Sequence, residues 1–352
     1  MIQLFGLSSD NWDDVVRGFA NFDVYYLSGY ARAFAAHGDG EPLLFLYEDA
    51  NLRAMNVVMK RDVSRIQLLA DKISVDTYFD VVTPYGYGGF LFEGYECASS
   101  VRRLDDEYSA FCKSLGIVCE FVRFHPIRSK FSALNEMYVL SVKGKTVTMN
   151  LKSKNSLFTS LDSKNRNVIR KAMKAGIEVY WGRSPDLYDR FMSMYTMTMN
   201  RANANDYYHF GKEFFKAHLD ALKEHAMLFY ASYRGEIIAM CLILHANGLL
   251  HYHLSASEHE YSNLSAMNLL LFEIANWGCA NGYSVFHLGG GVAAQEDNLY
   301  KFKKSFNKQG NDAGFVVGTK IFCSEAYAEL VALRCLSPSP QRDALFFPSY
   351  RA

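Results

Sequence analysis

A chain of 352 residues is long enough for about two compact domains. Hydrophobic residues make up 50% of it, aromatic residues 15% and charged residues 21%, a composition that excludes disorder over most of its length. Lysine plus arginine and aspartate plus glutamate each number 37, so the chain lacks the basic excess of a general nucleic-acid binder. Any contact with nucleic acid must therefore be local.

The N-terminal segment carries Asp10, Asp13 and Asp14 where a signal peptide needs positive charge, and no window reaches about 18 uninterrupted apolar residues. We therefore expect a cytoplasmic protein without a membrane span. The seven cysteines are odd in number and form no CxxC pair, which favours reduced thiols over disulfides or structural zinc.

In the first half, periodicity predicts a helix over 27–36 and a β-hairpin over 42–59. A tyrosine-rich segment follows, and then an amphipathic helix over 101–115 and a strand over 117–124. A polar β-type stretch within 144–150 marks the predicted boundary between the halves.

The second half repeats this order after a set of basic and amphipathic helices. Its predicted elements are basic helices within 157–175, a strand over 177–181, helices over 185–199 and 212–223, a hairpin over 226–245, a strand over 249–256, a helix over 266–280, a strand over 283–287, a helix over 299–306 and a final strand. Strands that alternate with helices predict an α/β fold with mixed (α+β) sheets covered on both faces.

An offset of 185 residues aligns the two hairpins without a gap. It matches Leu43 with Leu228, Ala54 with Ala239 and Met55 with Met240. The order of elements also agrees, which indicates one α/β unit used twice. We predict domains over 1–148 and 149–321, with a C-terminal helix in 322–352 packing back on the first.

Three segments carry candidate binding groups. The first is a basic helix with Lys164, Arg166, Asn167 and Arg170, which could cradle phosphates or could equally be a solvated helix face. The second is the turn Gly289, Gly290 and Gly291 after an apolar strand, where glycines let the backbone approach a ligand, although an ordinary flexible turn needs no more. The third is a loop with Tyr85 and Tyr87 between glycines, suited to stacking on a polar ligand or to a purely structural role.

Five motifs together resemble the FemABX family of peptidoglycan-bridge aminoacyltransferases and the wider FemAB-like GNAT acyltransferases. They are "DVVTPYGYGG", "KNRNVIRKAMKAGIEV", "MTMNRANANDYY", "HLGGG" and "LYKFKKSF". The resemblance implies two tandem GNAT-like domains with the chemistry in the second. The long helical arm of some family members has no counterpart here, because the second half contains no long charged heptad segment.

The resemblance also implies residue roles. Phe302 and Lys303 match the family's Phe-Lys pair near the reacting carbonyl, Arg201 matches an arginine that holds acceptor phosphates, and Tyr252 matches an active-site tyrosine. A phosphate-binding lysine of the family's first domain has only Arg32 as a possible counterpart, which leaves the acceptor open.

The expected reaction is direct attack of an amine on an ester or thioester carbonyl, with Lys303 stabilising the oxyanion. Asp297, His287, His253 and a substrate phosphate are all possible bases. His251 and His253 are two residues apart and so lie on one face of a strand, with His287 as a possible neighbour. A metal site is not predicted, because the sequence offers no third ligand at a familiar spacing.

Three functions remain open on the sequence. The first is transfer from aminoacyl-tRNA to an amine of a peptide, sugar or other small acceptor, with the donor as co-substrate and no permanently bound cofactor. The second is transfer from acyl-CoA to an amino sugar or polysaccharide precursor, which the absence of a Q/RxxGxG/A loop disfavours. The third is a non-catalytic glycan- or peptide-binding module. The oligomeric state is not predicted.

Overall fold

The computed structural model describes residues 1–308, 310, 312–336 and 346–352. Its strands are β1 Ile2–Gly6, β2 Glu41–Glu48, β3 Leu52–Asp62, β4 Phe79–Val82, β5 Leu91–Gly94, β6 Ile117–Arg123, β7 Val139–Asn150, β8 Glu178–Gly182, β9 Ala226–Tyr233, β10 Glu236–Ala246, β11 Leu249–Ser257, β12 Val285–Gly289 and β13 Ala313–Ile321. Its α-helices are α1 Trp12–Arg17, α2 Ser28–His37, α3 Ala98–Ser114, α4 Phe131–Leu134, α5 Lys154–Ser160, α6 Ser163–Lys174, α7 Pro185–Arg201, α8 Lys212–Asp220, α9 Ala266–Ala280, α10 Asn298–Lys304 and α11 Ser324–Cys335. Among the described residues, none of the helices is both long enough and apolar enough to cross a lipid bilayer.

The chain divides into two compact units. Unit 1 comprises residues 1–142 and 316–352, and unit 2 comprises residues 143–315. The sequence places the first boundary at 148/149 and the second at 321/322, so both structural boundaries lie six residues earlier. The chain leaves unit 1 within β7 and returns to it within β13.

Unit 1 contains a sheet with the strand order β1-β2-β3-β4-β6-β13, and β5 also pairs with β3. Only the pairing of β4 with β6 is parallel in this series, and α3 lies between these strands in the chain. Apolar residues of the strands pack with α3 around Phe45, Phe90 and Tyr108. A parallel pair requires such a crossover connection, whereas the antiparallel pairs need only turns.

Unit 2 has the same topology. Its strand order is β7-β12-β11-β10-β9-β8, with β11 and β12 parallel and the other pairs antiparallel. Helix α9 provides the crossover, and Leu270, Ile274 and Ala275 bury its apolar face against Phe229 and Leu250. Each unit therefore consists of a hairpin, a third strand, a crossover helix and a parallel fourth strand, closed by one further antiparallel strand. The predicted fold class, tandem GNAT-like α/β units, is confirmed.

The gapless alignment of the two hairpins is wrong by one residue in register. Leu43 pairs with Val58 in the first hairpin, so the offset would pair Leu228 with Ile243, but Leu228 pairs with Leu242. The second hairpin has a two-residue turn and an irregular step in its ladder, and the first has a longer turn. Local turn geometry fixes strand register more strongly than sequence similarity does.

The C-terminal segment contains the predicted helix, which the structure places at Ser324–Cys335. Helix α11 ends at Cys335, and residues 337–345 lie outside the described residues. Ala326 and Leu330 of α11 pack in unit 1 with Val118. The last residues are held separately, since the Tyr350 hydroxyl donates a hydrogen bond of 3.0 Å to the buried carboxylate of Asp80.

Candidate active site

The glycine turn after β12 is shaped by close packing. Gly289 has a φ of +77°, a left-handed conformation that other residues rarely adopt. A Cβ atom on Gly290 would lie 2.8 Å from the carbonyl oxygen of Lys145, and one on Gly291 would lie 2.1 Å from that of Gln295. The turn therefore excludes larger residues for structural reasons, and it also aims the Gly290 carbonyl at the next helix.

That helix, α10, is capped by Asp297. Its carboxylate accepts hydrogen bonds from the backbone N–H groups of Tyr300 at 2.8 Å and Val292 at 3.0 Å. These bonds lower the pKa of Asp297, so the carboxylate remains charged and is a poor proton acceptor. The cap joins the glycine turn to the helix that carries Lys303.

Lys303 points inward. Only 8% of the residue is exposed, and its Nζ atom donates a hydrogen bond of 2.7 Å to the carbonyl oxygen of Gly290. Burial lowers the pKa of this ammonium to about 8, against a smaller opposing effect of Asp297. The side chain thus places a partly desolvated, titratable cation at the glycine turn.

Tyr252 and Phe302 complete this arrangement from different elements. The Lys303 Nζ atom lies 5.6 Å from the centroid of the Tyr252 ring on β11. The Tyr252 hydroxyl donates a hydrogen bond of 2.6 Å to Ser255 Oγ, and burial raises the pKa of Tyr252 far above its ordinary value. Phe302 is half-buried beside Lys303 on α10 and packs edge-on against Phe306 at 5.5 Å.

A basic cavity of about 550 Å³ lies beside α10. It is lined by Lys164 and Asn165 of α6 and by Phe302, but not by Lys303, whose ammonium is bonded to the Gly290 carbonyl. Three further lysines line it: Lys301, Lys304 and Lys308. Lysine ammonium groups around a concave site favour an anionic ligand.

Asn165 is a residue that the sequence did not single out. It is buried, its amide nitrogen donates to the Ser305 carbonyl at 3.3 Å, and its oxygen accepts from Asn268 at 2.9 Å. Its burial could be inferred only from helical spacing, since Asn165, Ile169 and Ala172 lie on one face of α6 and are its buried residues.

Several known proteins resemble this chain in sequence or in fold. Residues 163–304 match the family model described as an acetyltransferase (GNAT) domain. The solved structure of FemX superposes with a TM-score of 0.67 and 12% identity over 93% of this chain and 99% of FemX. The chain therefore has the fold of FemX, and its second unit is similar to a GNAT domain.

Two further proteins are similar to this chain. An alanyltransferase of Weissella viridescens, named UDP-N-acetylmuramoylpentapeptide-lysine N(6)-alanyltransferase, is 26% identical over 178 residues. That match covers 49% of this chain and only 52% of the relative's length. The C-terminal domain of a putative lysylphosphatidylglycerol synthetase from Agrobacterium fabrum has the same fold, with a TM-score of 0.55 and 13% identity over 88% of this chain and 90% of that domain.

The other candidate residues of the basic helix α6 have different surroundings. The guanidinium of Arg166 donates hydrogen bonds to the carbonyl oxygens of Thr159 and Leu161, and so stabilises the turn before α6. Arg170 is exposed, bonds to Asn167 Oδ1 at 3.3 Å and lies over the Phe158 ring. In this helix, therefore, only Lys164 of the four predicted binding residues lines the basic cavity.

Arg201 lies at the end of α7, away from Lys303. It is exposed, and its guanidinium donates a hydrogen bond of 3.0 Å to the carbonyl of Ser257 at the end of β11. Five strand residues separate Ser257 from Tyr252, which corresponds to about 16 Å. Arg201 could therefore meet a distant part of a long acceptor but not the reacting carbonyl.

Tyr85 and Tyr87 belong to unit 1. The Tyr85 carbonyl accepts a hydrogen bond from the Tyr30 hydroxyl, and the Tyr87 ring packs edge-on against Tyr25 at 5.6 Å. Gly86 between them has a φ of +96° and no room for a Cβ. Both tyrosines take part in packing, and both stay candidates for ligand contact because each is only half-buried.

The predicted histidine neighbours do meet. His251 Nδ1 and His287 Nδ1 are 3.5 Å apart on the parallel strands β11 and β12. The rings of His253 and His218 are stacked at 5.5 Å, and burial lowers the pKa of both. These two imidazoles are therefore neutral near pH 7, and their lowered pKa values make them poor proton acceptors.

Proposed function

We propose that this chain transfers an aminoacyl group from aminoacyl-tRNA to an amine of a peptide-linked cell-wall precursor in the cytoplasm. The observation that carries this proposal is the buried ammonium of Lys303, held on the Gly290 carbonyl at the end of β12. Similarity to the Weissella viridescens alanyltransferase supports the same chemistry, since the name of that enzyme describes alanyl transfer to a lysine of a muramoyl pentapeptide.

The reaction follows from that geometry. The acceptor amine attacks the ester carbonyl of the donor, and negative charge develops on the carbonyl oxygen. The Lys303 ammonium, already fixed and partly desolvated, donates a hydrogen bond to this oxygen. Collapse of the tetrahedral intermediate forms the amide and expels the ribose hydroxyl, which takes up a proton, while the amine releases one.

The basic cavity is the proposed site for the phosphates of the donor. Lys304 and Lys308 are already paired with Asp312 at 2.8 Å and Asp162 at 3.4 Å. The excess positive charge of the basic cavity therefore comes from Lys164 and Lys301. Local charge of this kind can hold the end of a nucleic acid even though the chain as a whole is neutral.

A transfer assay tests the proposal. The purified chain is incubated with alanyl-tRNA and a lysine-containing UDP-N-acetylmuramoyl pentapeptide, and the acceptor is analysed by mass spectrometry. We expect the acceptor to gain one alanyl residue with the wild type and not with Lys303→Met. A folded wild type that leaves every acceptor unchanged with a mixed pool of charged tRNAs would contradict the proposal.

An acyl-CoA donor is the second candidate. It is favoured by the match of residues 163–304 to an acetyltransferase domain model. The same assay with acetyl-CoA and amino-sugar acceptors distinguishes the two, because acetylation and alanylation add different masses. If neither donor reacts and neither raises the melting temperature, a binding module becomes the better description.

A further inference from the structure

A second cavity in unit 2, of about 530 Å³, lies at the far end of α9. It is lined by Trp181 of β8, Phe229 of β9, and Glu273, Asn276 and Trp277 of α9. Two of the chain's three tryptophans therefore face one cavity. The proposed transfer reaction uses none of these residues.

The rings form a floor and two walls. Phe229 is fully buried and forms the floor. Trp181 is tilted against it, with centroids 6.0 Å apart and 33° between the planes, and Trp277 lies edge-on, at 5.2 Å and 77°. Trp181 is 53% exposed and lines the cavity. The negative faces of aromatic rings attract a cation within about 6 Å.

The polar groups of the cavity complement a positive ligand. Glu273 is the ionisable residue of its lining and is only partly buried. Asn276 donates through its amide nitrogen to Glu273 Oε2 at 3.4 Å, and Asn281 donates to the Trp277 carbonyl at 2.8 Å. Each amide nitrogen thus already gives one hydrogen bond, and the amide and carboxylate oxygens remain as acceptors. Acceptors beside indole faces suit a ligand that brings both positive charge and N–H donors.

This cavity is distinct from the Lys303 site. The Tyr252 hydroxyl, on the Lys303 side, reaches the sulfur of Met267 in the first turn of α9 at 3.9 Å. Trp277 lies ten residues further along this helix, which corresponds to about 15 Å. A ligand in one site therefore leaves the other open.

We propose that the cavity formed by Trp181, Phe229, Trp277 and Glu273 binds an alkylammonium group, such as a lysine side chain of a peptide or a small amine. The indole faces hold the methylene groups and the charge, and the Glu273 carboxylate fixes the ammonium. The proposal is independent of the donor and of the transfer reaction.

The test is a titration followed by tryptophan fluorescence, because Trp12 is buried in unit 1 and the other two tryptophans line the cavity. The probe is Nα-acetyl-lysine methylamide, and the uncharged control probe is Nα-acetyl-norleucine methylamide. We expect saturable binding of the lysine probe with a Kd of about 1 mM, and a Kd weaker by about tenfold in both Glu273→Gln and Trp181→Leu.

Tyr180→Leu is the matched control variant. Tyr180 precedes Trp181 on β8, is 43% exposed, and stacks on Tyr230. Alternation along a strand places it on the opposite face, so its loss should leave the Kd unchanged. The proposal is overturned if both probes bind alike, if Tyr180→Leu weakens binding as much as Trp181→Leu, or if the lysine probe shows no saturation by about 10 mM. Saturable binding of N-acetylglucosamine without binding of the lysine probe would indicate a saccharide site instead.

Discussion

Replacement of Lys303 by methionine should separate catalysis from stability. Methionine keeps the length of the side chain but removes the ammonium that we assign to the oxyanion. Loss of one such donor costs about 3 kcal/mol of transition-state stabilisation, so kcat should fall at least a hundredfold. The free energy of unfolding should not fall with kcat, because burial makes the charged ammonium unfavourable in the folded chain.

The pKa of Lys303 lies at about 8 in the folded chain, below its ordinary value of 10.5. This difference makes the charged form unfavourable to folding by at most about 3 kcal/mol near pH 7. The hydrogen bond to Gly290 offsets about 1–2 kcal/mol of it. Lys303→Met should therefore be at least as stable as the wild type at pH 7.

The sign of the pH dependence follows from the same shift. Between about pH 8 and 10.5 the folded chain binds fewer protons at Lys303 than the unfolded chain, so this residue makes the wild type gain stability as pH rises. Lys303→Met should lack that gain. Urea denaturation at pH 7 and pH 10 measures this gain in the free energy of unfolding, and a transfer assay measures kcat.

The exposed Lys216 of α8 provides the control, since Lys216→Met should change neither quantity. The reasoning is refuted if Lys303→Met retains kcat within about threefold of the wild type, or if it loses more than about 2 kcal/mol of stability.

Three further outcomes are expected. The kcat of the wild type should fall as pH rises through about 8, because Lys303 loses its proton there, and a flat profile from pH 7 to 9.5 would remove the ammonium from the mechanism. Gly291→Ala should lower kcat and destabilise the chain by about 1–3 kcal/mol, since its Cβ would meet the Gln295 carbonyl, whereas Gly6→Ala, with open space around it, should do neither. In unit 1, burial raises the pKa of Glu120 to about 7. Between about pH 4.5 and 7 the folded chain therefore binds more protons at this residue than the unfolded chain, and the wild type loses stability as pH rises. In thermal melts over that range, the melting temperature of Glu120→Gln should fall less with pH than that of the wild type, and an equal fall would count against this cause.

The predicted elements that proved accurate are those with a strong local signal. The helix predicted over 266–280 has these bounds because an apolar run fills α9 and the glycine at 282, with a φ of +79°, follows its end. Both hairpins were found from apolar runs on either side of polar turns. In such segments the local pattern and the tertiary packing favour the same structure.

The short strands β4 and β5 were missed. Each has only four residues, and β4 begins the segment that was interpreted as a tyrosine loop. Their strand conformation comes from pairing with β3, which other segments of the chain separate from them. Four residues are also too few to show a local periodicity. Asp80, a charged residue in β4, is fully buried because Arg61 and Arg351 each bond to its carboxylate at 2.6 Å.

The candidate site was only partly predictable. Lys303 and the three glycines are close in sequence, and their motif could be recognised. The approach of Tyr252 to Lys303 depends on the order of β11 and β12 in the sheet, which no local pattern specifies. The same holds for Asn165, because a polar residue in a basic segment resembles a surface residue until its neighbours in space are known.

The strand order has a consequence for how the chain is made. The sheet of unit 1 is completed by β13, which leaves the ribosome only after all of unit 2 has been synthesised. Unit 2, in contrast, is continuous in sequence and can close its own sheet first. Until β13 arrives, β6 has an unpaired edge, so the nascent chain spends the whole translation of unit 2 with its earlier half unfinished and open to misassociation.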